Sequence, residues 1–211
     1  MTRPTEPLYS LHERVWHWIQ AGAMLVLVLS GFAIHYPDRF AVFGPMVNAL
    51  NWHTWISFAF IANAFLGLFY HYTAEKYHHF LPRMDDITEG AIRQARYYLY
   101  GIFKGEAHPF ETSARHKLNP LQKVTYLALL NLLLPYQIVT GMLMWGAARW
   151  PVAFQKAGGL ATLGPAHTLG AYLFLAFLIG HVYLASTGKT PVSLYRAMVT
   201  GHEEAAPGPQ G

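Results

Sequence analysis

The amino-acid sequence predicts an all-α integral membrane protein, built as a bundle of four transmembrane helices. Of its 211 residues, 53% are hydrophobic and only 12% are charged, so the chain is more apolar and less charged than a typical globular domain. The charged residues are also clustered, and they leave four stretches that contain no Asp, Glu, Lys or Arg. These stretches are residues 15–37, 40–74, 124–148 and 157–188, with lengths of 23, 35, 25 and 32 residues.

Each charge-free stretch can span a bilayer, because a helix needs about 20 residues to cross a hydrocarbon core of roughly 30 Å. A soluble helical bundle is the alternative, but four such stretches would leave it no polar helix faces to meet water. The predicted helices cover about residues 15–35, 52–73, 121–147 and 164–187, within one membrane domain over residues 1–204. The last residues, 205–211, are predicted to form a disordered tail.

The third predicted helix contains Pro135 in mid-span. Proline has no backbone N–H, so we expect a kink there that frees the carbonyl of Asn131. The loop that precedes this helix, residues 75–120, is the longest connection in the chain. Its residues 87–103 combine basic and aromatic side chains with apolar ones, which predicts an amphipathic segment lying along the membrane surface.

The distribution of Lys and Arg predicts how the bundle is oriented. The termini and the segment 76–123 carry 12 of these residues, whereas the two short loops on the other side carry three. Cytoplasmic loops hold the excess of positive charge, so we expect both termini and the long loop in the cytoplasm of a bacterium, with the helices in its inner membrane. The basic residues sit in loops beside apolar spans, which argues against nucleic acid as a partner despite a pI near 9.3.

The chain has no cysteine. This composition excludes disulfides, iron–sulfur ligation by the chain and covalent c-type haem attachment. Six histidines are the ionisable residues within the predicted spans, where such residues are rare, costly and commonly functional. Any cofactor must therefore be held by residues other than cysteine, and these histidines are the first candidates.

Histidines on different helices are predicted to lie at matching depths. His167 and His181 are 14 residues apart on the fourth helix, which places them on roughly one face and about 21 Å apart along the axis. His17 opens the first helix on the inner side, and His53 opens the second on the outer side. Neutral imidazole is a good ligand for haem iron, so the pairs His17–His181 and His53–His167 would make two bis-histidine sites for haem b, stacked across the bilayer.

Helical spacing alone leaves alternatives to this pairing. His35 lies 18 residues after His17, and His71 lies 18 after His53, which is five full turns on the same faces. A histidine at the end of a span can also simply reach the interface, but a set matched in depth favours ligation. The inner candidates are His17, His71 and His181, and the outer candidates are His35, His53 and His167.

Several motifs resemble one known family, the cytochrome b subunits that anchor formate dehydrogenase-N, nickel–iron hydrogenases and thiosulfate-reductase-type molybdenum enzymes. The resemblance covers all four helices. The residues that carry it are Arg14-Val-Trp-His17-Trp18, Ser30-Gly31, Asn119-Pro-Leu-Gln122-Lys123, Thr140-Gly141-Met142 and His181-Val-Tyr183-Leu-Ala-Ser-Thr187-Gly188, together with the spacing from His167 to His181.

The resemblance implies specific roles for these residues. The haem ligands of the family correspond to His17, His53, His167 and His181. An Asn before the third helix and the inner histidine of the fourth helix border the quinone pocket in such relatives, and here they are Asn119 and His181. We then expect His71 near the inner haem edge, touching a propionate or quinone. A nearby Gly of the relatives is replaced here by Leu121, so the pocket is expected to differ in detail.

The sequence thus predicts a dihaem cytochrome b that anchors a respiratory oxidoreductase. Such a subunit transfers electrons between membrane quinone or quinol and a periplasmic subunit bearing iron–sulfur clusters or c haems, which serves a separate catalytic subunit. The short outer loops, with Arg39, Arg149, Trp150 and Lys156, are too small to house a substrate site. Two rival hypotheses are a self-standing cytochrome b quinone oxidoreductase acting on a small oxidant such as superoxide, and a transporter that binds divalent metal ions through histidines.

Overall fold

The computed structural model describes residues 7–75, 81–110, 118–188 and 190–202, and in these ranges it contains helices and no strands. The predicted tail, 205–211, lies outside the described residues. Four spans are long and apolar enough to cross a membrane: Leu11–His35, Met46–Thr73, Pro120–Trp145 and Gly159–Ala185. The helices are α1 (Leu11–His35), α2 (Met46–Thr73), α3 (Ala91–Leu99), α4 (Pro120–Ala128), α5 (Leu134–Trp145), α6 (Pro151–Lys156), α7 (Gly159–Ala185) and α8 (Ser193–Thr200).

Three spans begin earlier than the sequence predicted. Helix α1 begins at Leu11, because Ser10 and Glu13 form a capping box in which the Glu13 N–H donates to Ser10 Oγ at 3.3 Å and the Ser10 N–H donates to Glu13 Oε2 at 2.7 Å. Helix α2 begins at Met46, directly after Pro45. Helix α7 begins at Gly159 and continues through Pro165, as membrane helices tolerate when neighbouring groups satisfy the freed backbone.

The third span changes its helical register before Pro135. Residues Leu129–Leu133 form a π turn between α4 and α5, and the Leu134 N–H donates to the carbonyl of Leu129. The side-chain amide of Asn131 donates to the carbonyl of Leu127 at 2.9 Å. The wider turn accommodates a proline that cannot donate a backbone hydrogen bond, so the predicted irregularity takes the form of a π turn at this site.

Helices α1 and α2 are held together by a small polar contact. The Trp16 indole Nε1–H donates to the Asn63 carbonyl at 2.8 Å, and the Asn63 amide donates to Gln20 Oε1 at 2.6 Å. Gly67 lies directly beneath the indole, where a Cβ atom would stand 2.3 Å from Trp16 Nε1. A side chain at this position would force the two helices apart, which explains why the close approach needs glycine.

An apolar core lies at the middle depth of the bundle. It joins three spans through Phe60 of α2, Leu134 of α5 and Phe174 of α7, with Ala64 beside them. Phe174 stands seven residues from His167 and seven from His181, so it marks the midpoint of α7 between them. The core therefore separates the two ends of the bundle, and the two ends hold different histidines.

One end of the bundle gathers the segment before α1 and helix α8. The Tyr9 N–H donates to the Gly201 carbonyl at 3.3 Å, and the Trp18 indole donates to the Met198 carbonyl at 3.0 Å. The guanidinium of Arg14 donates to the carbonyl of Val199. We name this the α8 end, and the opposite end, which carries the helix Pro151–Lys156, the α6 end.

The loop before α4 packs onto the α8 end through a π turn, Asp86–Gly90, followed by α3 and a 3-10 turn, Gly101–Lys104. Lys123 Nζ donates to Asp86 Oδ2 at 2.9 Å, and both side chains are mostly buried. Partial burial raises the pKa of Asp86, but the Arg83 backbone N–H and the Lys123 ammonium outweigh it and hold that pKa below its ordinary value. The ion pair therefore fastens the predicted amphipathic segment to the third span.

Candidate functional site

The four spans bring four of the predicted histidines together as two pairs. The ring centres of His17 and His181 lie 6.1 Å apart at the α8 end, and those of His53 and His167 lie 6.2 Å apart at the α6 end. We call His17–His181 the first pair and His53–His167 the second pair. All four side chains are partly buried. Each pair joins helices far apart in sequence: α1 to α7 in the first, and α2 to α7 in the second.

The separation within each pair suits two imidazoles bound on opposite sides of one metal atom. A bond from a metal to an imidazole nitrogen is about 2.0 Å, and the ring centre lies about 1 Å further out, so such rings have centres about 6 Å apart. Within the described ranges, no group of three or more His, Cys, Asp or Glu side chains that could hold a metal ion is found. Two facing imidazoles on each site are the donor set of a six-coordinate haem, so the residues fit that cofactor.

Each imidazole of the second pair faces a buried hydroxyl. Ser30 Oγ lies 2.9 Å from His53 Nδ1, and Thr140 Oγ1 lies 2.9 Å from His167 Nδ1. Ser30 is fully buried, and Thr140 is 6% exposed. The side-chain amide of Gln137 lies 3.1 Å from His167 Nε2. From the sequence, Ser30 and Thr140 were identified only within family motifs and Gln137 was not identified, although a hydroxyl residue followed by glycine near the end of a span was a usable signal.

The two glycines that follow these hydroxyl residues stand against the same imidazoles. A Cβ atom at Gly141 would lie 3.1 Å from His167 Cε1, and one at Gly31 would lie 3.8 Å from His53 Cε1. The first distance is tighter than ordinary contact, whereas the second is normal van der Waals contact. Gly141 therefore gives the imidazole of His167 room that alanine would reduce.

The first pair has a different surrounding. His17 Nδ1 is buried and has no hydrogen-bond partner among the described residues. His181 Nδ1 faces the Tyr126 hydroxyl at 3.4 Å, and the ring of Phe177 stacks on the imidazole with a 23° angle between planes. A buried nitrogen without a partner is costly in a protein interior. Such an orphaned atom is consistent with a site completed by a bound group.

The two remaining span-end histidines lie outside these pairs. His35 is exposed and packs edge-on against Tyr36, 4.6 Å between ring centres. His71 lies at the α8 end, where its Nδ1 is 2.7 Å from the Gly67 carbonyl and its ring meets Trp16 edge-on at 5.8 Å. Trp16 directly precedes His17, so His71 stands beside the first pair without facing either imidazole of it.

Asn119 is the N-cap residue of α4. Its Oδ1 accepts from the Gln122 N–H at 2.9 Å, and its own N–H donates to Gln122 Oε1 at 2.9 Å, which forms a capping box. Its amide nitrogen donates to the Tyr98 hydroxyl at 3.1 Å. Asn119 is therefore a helix N-cap, and its side-chain amide hydrogens take no part in the cap.

Tyr98 belongs to a polar cluster on α3. Burial raises the pKa of its phenol, and the hydrogen bond from Asn119 only partly offsets this effect, so the hydroxyl keeps its proton at neutral pH. Gln94, fully buried in the same helix, places its amide 3.3 Å from His108 Nε2. The ring of His108 also meets Tyr98, with 5.9 Å between centres. Tyr98 therefore connects Asn119 to a group of side chains that can donate or accept hydrogen bonds.

Comparison with known proteins identifies the family. The sequence model of the prokaryotic cytochrome b561 proteins matches residues 8–201. The chain belongs to this cytochrome b561 family. The family resemblance argued from the motifs is thereby confirmed, and membership implies an integral membrane protein that binds haem b.

Three relatives of this cytochrome show where it stands in the family. It is 34% identical to the putative cytochrome YdhU of Escherichia coli (strain K12), over 92% of this chain and 73% of the relative. It is 25% identical to the putative protein-methionine-sulfoxide reductase subunit YedZ1 of Azospira oryzae, over 94% and 100%. It is 27% identical to the probable Ni/Fe-hydrogenase B-type cytochrome subunit of Cupriavidus necator, over 90% and 86%. No solved structure matches the cytochrome.

Proposed function

We propose that the protein is a dihaem cytochrome b that anchors a respiratory oxidoreductase and transfers electrons between membrane quinone and a periplasmic partner subunit. The observation that carries this proposal is the presence of two facing imidazole pairs, 6.1 Å and 6.2 Å between ring centres, at opposite ends of one bundle. One pair would serve one haem. Two pairs separated by a helix length of about 21 Å suit the passage of electrons across a bilayer.

The chain's own residues would hold the two haems as follows. His17 and His181 would hold one haem at the α8 end, and His53 and His167 would hold the other at the α6 end. Haem iron supplies one-electron chemistry, since it is stable in both the ferric and the ferrous state. The apolar core around Phe174 lies between the two sites.

Quinone would bind at the α8 end, near Asn119. The oxygen of the Asn119 side chain is engaged in the helix cap, so only its amide hydrogens remain to donate to a quinone carbonyl. The Tyr98 phenol, protonated at neutral pH, stands within hydrogen-bond distance of that amide. His71, which lies beside the first pair, would border the same region or a haem propionate. His181 completes the pocket from α7.

The orientation and the partner follow from charge and loop size. In the sequence, residues 1–14, 76–123 and 189–196 contain 12 of the 15 Lys and Arg residues, which supports a cytoplasmic location for both termini in a bacterial inner membrane. The α6 end would then face the periplasm with two short loops, one of which carries Arg149 stacked 4.4 Å above the ring of Trp145. A subunit with iron–sulfur clusters or c haems would dock there and connect to a catalytic subunit. Two of the relatives are named as subunits of reductase or hydrogenase enzymes, which supports this subunit role.

Reduction by quinol tests the proposed quinone chemistry. We expect a short-chain quinol, added to the oxidised protein in detergent, to produce the absorbance bands of ferrous haem b within seconds. A hydroxyquinoline-type inhibitor that mimics quinol should slow the reaction, whereas dithionite should reduce the protein with or without the inhibitor. Haem that is reduced by dithionite but not by quinol would contradict the proposed quinone chemistry. It would not contradict haem binding.

A further inference from the structure

Two buried hydroxyls each join an imidazole of the second pair to a helix backbone. Ser30 Oγ donates to the Val26 carbonyl at 2.7 Å while it lies 2.9 Å from His53 Nδ1. Thr140 Oγ1 lies 2.9 Å from the Tyr136 carbonyl and 2.9 Å from His167 Nδ1. The same arrangement thus occurs on α1 and on α5, and it serves the two histidines that face each other.

The hydroxyl hydrogen decides which tautomer these imidazoles adopt. A hydroxyl has one hydrogen, and in both residues it points to a backbone carbonyl four residues earlier. With its hydrogen on that carbonyl, the hydroxyl oxygen is left to accept a hydrogen from Nδ1 of the histidine. With its hydrogen on Nδ1, a neutral imidazole has its lone pair on Nε2, the atom free to bind a metal.

A second contact supports the same tautomer for His167. The amide nitrogen of Gln137 lies 3.1 Å from His167 Nε2. An amide NH2 group only donates, so Nε2 must accept and must carry the lone pair. Two neighbours on α5, acting on different nitrogens of one ring, therefore agree on where its hydrogen sits. The Gln137 amide would give up this contact when Nε2 binds a metal.

We propose that Ser30 and Thr140 are positioning residues which hold His53 and His167 with Nε2 ready for iron and which lower the midpoint potential of the haem bound there. This inference rests on the proposed dihaem function. An acceptor for Nδ1–H makes Nε2 more basic, and a more basic axial ligand favours ferric iron. Among the described residues, His17 Nδ1 of the first pair has no partner, and the second pair alone shows such a hydroxyl contact on both rings.

A purely structural role for the two hydroxyls is the competing explanation, because Ser and Thr in membrane helices commonly bond to a carbonyl four residues earlier. Ser57 provides the matched control. Its Oγ donates to the backbone carbonyl of His53 at 2.6 Å, on the same helix as that histidine. Replacing Ser57 removes a backbone hydrogen bond at the same site and leaves the Ser30 contact to the imidazole in place.

The test compares Ser30→Ala, Thr140→Val and Ser57→Ala with the wild-type protein by haem content, potentiometric titration of the haem absorbance and electron paramagnetic resonance of the ferric state. We expect the first two variants to keep two haems, to raise one of the two midpoint potentials and to change the g values of that haem alone. Ser57→Ala should leave both potentials unchanged. Ser30→Thr and Thr140→Ser, which keep the hydroxyl, should behave as the wild type.

The possible results distinguish a failure of the positioning role from a failure of the dihaem function. Unchanged potentials in Ser30→Ala and Thr140→Val, or an equal shift in Ser57→Ala, would overturn the positioning role. Loss of one haem from Ser30→Ala that Ser30→Thr restores would support it, because the hydroxyl would then be needed to present the ligand. A wild-type protein with fewer than two haems would instead overturn the dihaem function on which the inference rests.

Discussion

Replacing His53 with alanine is expected to lower the haem content from about two per chain to about one. His53 faces His167 across 6.2 Å, so its removal leaves one imidazole where two are needed. The first pair is separated from this site by the apolar core around Phe60 and Phe174 and should keep its haem. Pyridine haemochrome analysis of the purified variant measures the loss, and titration of the remaining absorbance should show a single midpoint potential.

His35→Ala is the matched control for this variant. His35 ends α1, was an equal candidate for the outer site by helical spacing, and is exposed with its ring against Tyr36. We expect this variant to keep both haems and both potentials. Loss of both haems in the His53 variant, or loss of one in the His35 variant, would contradict the assignment of the second pair.

Replacing Asn119 with aspartate is expected to slow quinol-driven reduction by about tenfold or more while both haems stay bound. Aspartate keeps the oxygen that accepts from the Gln122 N–H and so preserves the cap of α4. It removes the amide hydrogens, which at present reach the Tyr98 hydroxyl and which we propose for the quinone carbonyl. Stopped-flow measurement of haem reduction by quinol gives the rate, and dithionite gives the total reducible haem.

Asn119→Ala separates the cap from the quinone role. This variant loses both the cap and the amide, and loss of an N-cap costs about 0.5–2 kcal/mol of stability. It should therefore unfold at a lower temperature than the aspartate variant. Quinol should reduce the haem of both variants equally slowly. If quinol reduced the haem of the aspartate variant at the wild-type rate, the amide of Asn119 would have no part in the reaction.

The four spans could be predicted because absence of charge over 20 or more residues is a strong signal. Their starts were less predictable. Helix α1 begins before Arg14, a charge that the prediction treated as a boundary, because the capping box of Ser10 and Glu13 nucleates the helix earlier. Helix α7 begins six residues before Pro165, since a proline inside a membrane helix ends it only when no neighbour satisfies the freed groups.

The sequence alone could not decide which histidines form the two pairs. His17 and His35 share a face of α1, and His53 and His71 share a face of α2, because 18 residues make five turns. Helical periodicity cannot separate such residues. The packing of helices decides which imidazole meets α7, and it places His17 and His53 there while His71 turns toward Trp16.

The polar neighbours of the second pair were beyond prediction from the residues alone. Ser30 contacts a histidine on α2, and Thr140 contacts one on α7. Such contacts depend on how each helix is rotated about its axis, which no pattern within one helix specifies. The cap at Asn119 was predictable, in contrast, because all its partners except Tyr98 lie within three residues.

Counting haem in the wild-type protein is the sharpest test of whether one chain holds two haems b. The protein would be purified in mild detergent, its concentration fixed by amino-acid analysis, and its haem measured by the pyridine haemochrome assay. We expect about two haems b per chain, one for each imidazole pair. A value of about one, or none, in folded protein supplied with excess haem during expression would contradict it.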